Sequence, residues 1–163
     1  MKAIFKYIIL TAVWVCMFST FTFSQNVSGE EGLNAFYIEG LGNGGLFSIN
    51  YDRVVYQGER VHGFIRTGLT EWHADDTNAL DIGIIQEGGI LYGGPNHFFD
   101  SGVGVTLWTS DIEAFIVPRI GYRFVSPEGL FIRVSPAMLV INTGDKEDSF
   151  GGYWLGLAVG YSF

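Results

Sequence analysis

The stretch Tyr153-Trp154-Leu155-Gly156-Leu157-Ala158-Val159-Gly160-Tyr161-Ser162-Phe163 alternates large apolar residues with small ones at a period of two. That period belongs to a strand with two unlike faces and not to a helix. Tyr153, Leu155, Leu157, Val159, Tyr161 and Phe163 share one face; Trp154, Gly156, Ala158, Gly160 and Ser162 share the other.

Working back from this segment, the same pattern recurs between turn residues. Eight strands are expected, over 34–42, 45–55, 60–71, 79–91, 97–109, 112–125, 129–142 and 152–163. Most reach the roughly 9–11 residues that a tilted strand needs to cross a bilayer. One face is apolar, as with Phe47, Ile49 and Tyr51, then Leu80, Ile82 and Ile84, Val103, Val105 and Leu107, and Ile116, Ile120, Tyr122 and Phe124. The opposite face is small, glycine-rich or charged: Ser48, Asn50 and Asp52; Asp81, Gly83 and Glu87; Asp100, Gly102, Gly104 and Thr106; Arg119, Gly121 and Arg123. A soluble lipocalin-like barrel would put the apolar set inside. A membrane barrel inverts the two. The charges are too sparse among the glycines to make a solvated surface, and aromatics gather toward the strand ends. The expected fold is therefore all-β, an eight-stranded antiparallel up-and-down transmembrane β-barrel. Pro118 and Pro136 fall inside expected strands and each lacks a ladder donor, so a bulge or break is expected at both.

Composition narrows the compartment. Lys2 and Lys6, an uncharged run from Tyr7 to Phe23, and small residues at Thr22 and Ser24 form a signal-peptide pattern. Residues 1–24 are expected to be a cleaved signal peptide and 25–163 the barrel domain; an uncleaved anchor is the competing reading. The sole cysteine, Cys16, lies in the leader, and Val15 before it is too bulky for lipoprotein processing. No disulfide is then available to the exported domain. Losing Lys2 and Lys6 moves the net charge of −8 two further units negative. No basic cluster exists, which excludes nucleic acid as a partner.

With a periplasmic N-terminus, the outer connections are 43–44, 72–78, 110–111 and 143–151, and the periplasmic turns are 56–59, 92–96 and 126–128. The stretches Phe36-Tyr37-Ile38-Glu39-Gly40-Leu41-Gly42, Gly45 to Arg53, His97 to Val105, Ile120-Gly121-Tyr122-Arg123-Phe124 and the Gly160-Tyr161-Ser162-Phe163 end resemble small, mostly uncharacterised outer-membrane β-barrel proteins of Gram-negative bacteria. The likeness covers nearly the whole mature chain. It implies an outer-membrane location and an architecture like the small eight-stranded barrels, with Tyr161 and Phe163 resembling the terminal assembly signal. It brings no catalytic or binding residues with it.

The face assignment turns Glu39, Asp52, Arg66, Glu87, Asp100, Arg119, Arg123 and Arg133 inward, with Asp81. An eight-stranded barrel is filled by its own side chains, and unpaired charge there costs several kcal/mol per ion, so a paired network is expected. Counting along strands places Asp100, Arg123 and Arg133 at one level and Glu39, Arg66 and Arg119 nearer the middle. In the outer connections His73, Asp75, Asp76, Asp145 and Asp148 form an acidic rim, where carboxylates could attract a divalent cation; the plainer reading is a solvated edge, and no metal or other cofactor is expected.

The chain has no catalytic motif and is not expected to be an enzyme. The expected role is structural or envelope-interacting, as a monomer. Its expected partners are outer-membrane lipids, lipopolysaccharide and, during insertion, the barrel-assembly machinery. The alternatives are a narrow pore for small solutes, a lipid A-modifying enzyme using His73 with Asp75 or Ser149, and a soluble lipocalin-like binder.

Overall fold

The computed structural model describes residues 34–73, 80–108, 114–138, 141–142 and 155–163. The expected leader, with its cleavage point after Ser24 and Cys16 inside it, lies outside them, as do Asp75, Asp76, Asp145, Asp148 and Ser149. The described residues form β1 (Asn34–Gly42), β2 (Gly45–Gln57), β3 (Val61–His73), β4 (Leu80–Gly93), β5 (His97–Trp108), β6 (Ala114–Val125), β7 (Leu130–Met138), β8 (Ile141–Asn142) and β9 (Gly156–Ser162), with no helix among them.

Each strand pairs antiparallel with its neighbour from β1 through β7. β8 pairs with β6 beyond the end of β7, so β7 and β8 are two pieces of one stave. β9 pairs with β7 on one side and β1 on the other. The sheet therefore closes into an eight-stranded antiparallel up-and-down barrel, which has no free edge. At the seam Asn34 N donates to Phe163 O at 3.0 Å and Phe163 N to Asn34 O at 2.8 Å.

The two faces separate by parity. Ser48, Asn50 and Asp52 are buried, while Phe47 and Ile49 are exposed. Asp100, Gly102, Gly104 and Thr106 point inward and Val103 outward. On β9 and the residues flanking it, Gly156, Ala158 and Ser162 are buried, whereas Leu155, Leu157, Val159, Tyr161 and Phe163 are about half exposed.

The two prolines behave differently. At Pro136 the ladder slips: Tyr122 faces Val134 but Ile120 faces Ala137, so Ser135 and Pro136 together oppose Gly121 in a bulge. Pro118 makes no such break with β5. It pairs with Val103 in unbroken register. On the other side of β6 the described pairs are Ile116 with Ile141 and Arg119 with Met138, so Pro118 has no ladder partner there among the described residues and its missing N–H costs no pairing with β5.

The connection 43–44 also differs from a plain outward hairpin. Leu41 adopts a positive φ of 54° and Gly45 one of 79°, and Asn43 is 6% exposed. The turn folds into the barrel mouth. Thr70 Oγ1 donates to Gly44 O at 2.5 Å, Thr106 Oγ1 to Asn43 O at 2.9 Å, and Asn43 Nδ2 to Glu87 Oε2 at 2.8 Å. Gly104 makes room for it: a Cβ there would stand 2.4 Å from Asn43 Nδ2. The turn is thus a stopper hydrogen-bonded to three opposing strands.

Candidate functional site

Seven of the eight staves send a charge into the lumen. Glu39 comes from β1, Asp52 from β2, Arg66 from β3, Glu87 from β4, Asp100 from β5, Arg119 and Arg123 from β6, and Arg133 from β7. β9 contributes only small inward residues, which leaves space for the long arginines opposite. All eight charged side chains are at most 4% exposed.

They form a closed ring in which acid and base alternate. Glu39 pairs with Arg66. Arg66 Nη1 lies 3.0 Å from Glu87 Oε2, and Glu87 pairs in turn with Arg119. Arg119 Nη2 is 2.8 Å from Asp100 Oδ1, and Asp100 Oδ2 is 2.8 Å from Arg123 Nε. Arg123 Nη2 is 2.7 Å from Asp52 Oδ2, which stands 3.7 Å from Arg133 Nη1. Arg133 Nη2, 2.7 Å from Glu39 Oε1, closes the circuit. Every carboxylate lies between two guanidinium groups and every guanidinium between two carboxylates. The ring carries no net charge, which is what makes eight ions tolerable where water is scarce.

Three aromatic side chains complete the packing. Arg133 and Arg66 lie over the Tyr37 ring at 4.8 and 5.6 Å, Arg123 over Phe64 at 4.8 Å and over Phe131 at 5.0 Å. Tyr37 and Phe131 stack with centroids 4.5 Å apart. Guanidinium edges thus meet carboxylates while their faces meet rings, a division of labour open to Arg and not to Lys. Neutral groups take up remaining positions: Tyr37 Oη donates to Asp52 Oδ1 at 2.6 Å, and Asn50 Oδ1 accepts from Arg66 Nε at 2.9 Å and Nη2 at 2.7 Å. Arg133 Nε makes no hydrogen bond, and the Tyr37 face covers that guanidinium instead.

Eight of the nine charged residues expected in the lumen from the alternation meet in this ring; the side chain of the ninth, Asp81, lies outside the described set. The pairing differs from the depth count in one respect: Arg133 binds Glu39 and approaches Asp52, while Asp100 is held by Arg123 and Arg119. Strand counting registers level along the wall, whereas a long guanidinium reaches across a narrow lumen. Tyr37, Phe64, Phe131 and Asn43 were not foreseen, and Asn50 was placed on the inward face but not among the partners of the charges. A signal for most of them exists, because Tyr37, Asn50, Phe64 and Phe131 each stand two residues before an inward charge, on the same face.

Comparison with protein-family models, with curated proteins and with solved structures finds no match. The chemistry must therefore be read from the site itself. With each of the ring's four carboxylates engaged by arginines, none of these four is free to act as a general base, and the ring's evident capacity is to cross-link staves across the barrel. Of the expected outer rim, His73 ends β3 with its side chain outside the described set, and the four aspartates lie wholly outside it. Tyr161 and Phe163 stack on the outer wall with centroids 6.4 Å apart.

The stopper adds a modest, separable contribution. Asn43→Ala removes one donor to the buried Glu87 carboxylate and should cost about 1–2 kcal/mol, read as a lower urea midpoint with the folded band on an unboiled gel retained.

Proposed function

We propose that this chain is a small outer-membrane β-barrel, closed along its lumen, with a structural or envelope-interacting role. The observation that carries the reading is the inversion of the faces. Charge is gathered inside, while Phe36, Ile38, Ile49, Leu69, Ile90, Val103, Leu157 and Val159 are exposed on the outer wall. Such an extensive apolar surface is a liability in water and the natural partner of lipid. Cross-strand register also sets Tyr51 beside Phe36 and Phe36 beside Tyr161, and Tyr92 beside Phe99 and Phe99 beside Tyr122. These two runs belong to the end with the short turns 58–60, 94–96 and 126–129, and match an interfacial aromatic girdle. Export through a cleaved leader, insertion by the barrel-assembly machinery through Tyr161 and Phe163, and contact with outer-membrane lipids and lipopolysaccharide complete the proposal.

The alternatives fare unequally. A lipocalin-like binder needs an apolar cup, and the inner face here is an ion ring. A pore needs a passage, and the ring, its aromatic rings and the stopper occupy the lumen. The lipid A-modifying reading would rest on His73 with Asp75 or Ser149; the His73 side chain and both of the other residues lie outside the described set.

Planar-bilayer recording of the purified mature chain tests the closed lumen. The account expects no unitary conductance steps above the protein-free baseline. Reproducible steps would establish the narrow pore in its place.

A further inference from the structure

One pair of polar side chains interrupts the apolar outer wall at its middle. Gln86 is the seventh residue of the 14-residue β4, and Thr67 the seventh of the 13-residue β3. They are cross-strand partners on the outward face, flanked there by buried Ile85 and Glu87 and by buried Arg66. Six residues of strand span roughly 20 Å, or about 14 Å along the membrane normal at a 45° tilt. Both side chains therefore fall near the centre of an apolar band about 25 Å tall. Gln86 Nε2 donates to Thr67 Oγ1 at 2.6 Å. The second amide N–H and Oε1 of Gln86 have no hydrogen-bond partner among the described residues. Lipid tails offer none either, and a polar group left so in hydrocarbon is costly.

The wall beside this amide is also notched. Gly88, two residues along the same face, is exposed, and a Cβ placed on it would touch nothing within 4 Å. Its neighbours across the ladders, Ile65 and Val103, stand to either side as apolar walls. A protein surface can therefore approach closely at the level where the amide is open.

The geometry points to a second copy of this chain as the occupant: two barrels meeting in the membrane through the β3–β4 face, with Gln86 of each at a two-fold axis. A primary amide is self-complementary. Across such an axis the free N–H of one Gln86 meets the Oε1 of the other, twice, and the isologous geometry requires no second kind of surface. Interbarrel hydrogen bonding of this kind is the sheet counterpart of polar contacts between membrane helices. The dimer replaces the monomer expected from sequence. It rests on the outer-membrane reading above, without which Gln86 would simply be hydrated.

The test uses the full chain in outer membranes, with Cys16→Ser and one added cysteine. Gly88→Cys places a thiol in the notch. Val159→Cys places one on β9, which is four strands from β4 around the eight-stranded wall and exposed. With a short bis-maleimide, the account expects a cross-linked dimer from Gly88→Cys and background from Val159→Cys. Adding Gln86→Leu to Gly88→Cys should cut the dimer band several-fold while the unboiled monomer still migrates as a folded barrel. Three results would overturn the proposal: equal cross-linking from both faces, no cross-linking at Gly88→Cys in membrane-embedded folded protein, or a band indifferent to Gln86→Leu. A cross-link to a product of other than twice the chain mass would overturn the second copy as occupant. Recovery of the protein in the soluble fraction would instead bring down the outer-membrane reading, and the dimer with it.

Discussion

Arg66→Met is expected to destabilise the barrel by about 3–5 kcal/mol, the usual cost of removing one partner from a buried ion pair. Arg66 is fully enclosed and joins Glu39 to Glu87, with Asn50 on its remaining edge. Without it the ring holds four carboxylates and three guanidinium groups, and the excess charge has no access to water. Adding Glu39→Met should recover stability even though it deletes a second ring member. The chain that remains, from Glu87 through Arg119, Asp100, Arg123 and Asp52 to Arg133, again alternates and balances. The double variant should therefore be more stable than Arg66→Met by about 1–2 kcal/mol, because it removes the carboxylate that the single variant leaves buried without its partner. Urea unfolding in lipid vesicles, followed by tryptophan fluorescence, measures both. Additive losses would mean that the ring is not an electrostatic unit.

Gly160→Val is expected to abolish closure. Gly160 sits between Tyr37 on β1 and Phe131 on β7, its direct ladder partners on either side. Those two rings stack on each other with an interplanar angle of 13°, and Tyr37 leans across the glycine to do so. A Cβ at Gly160 would stand 2.2 Å from Phe36 O and 2.3 Å from Tyr37 Cβ. Backbone cannot yield there without opening the β1–β9 seam. Ordinary overpacking costs about 1–3 kcal/mol; here the seam that closes the sheet also receives the insult, so the variant should show no heat-shifted band on refolding. Val159→Leu, one residue away on the outer face, should refold normally. A folded Gly160→Val barrel would mean that the Tyr37–Phe131 stack does not set the seam.

The alternation made the staves and their faces legible because a strand's side-chain period is two and few inward residues break it. On β5, Asp100, Gly102, Gly104 and Thr106 form the inward row without interruption. Where a bulge intervened, local chemistry signalled only half of it: Pro136 lies in one, but so does Val55, an ordinary strand former, between Val54 paired with Phe64 and Tyr56 paired with Gly63. At Pro118 the ladder to β5 runs unbroken, and the positions across from it on the other side, 139–140, lie outside the described residues. The members of the ion ring were legible one by one, since charge on the small-residue face has nowhere to go but inward. Their connectivity was not. It depends on which side chains meet across the lumen, as Arg123 and Asp52 do from β6 and β2. The stopper was hidden for a different reason. Asn43-Gly44 reads as an ordinary tight turn, and only Thr70 and Thr106, distant in sequence, draw it inward.

The central claim, a charge-filled barrel with its apolar face in lipid, is tested most directly by fractionating cells that express the chain and running the outer-membrane fraction on a gel boiled and unboiled. The account predicts that the protein sediments with the outer membrane, resists alkaline extraction and changes mobility on boiling. A soluble periplasmic protein whose mobility is unaffected by boiling would contradict it.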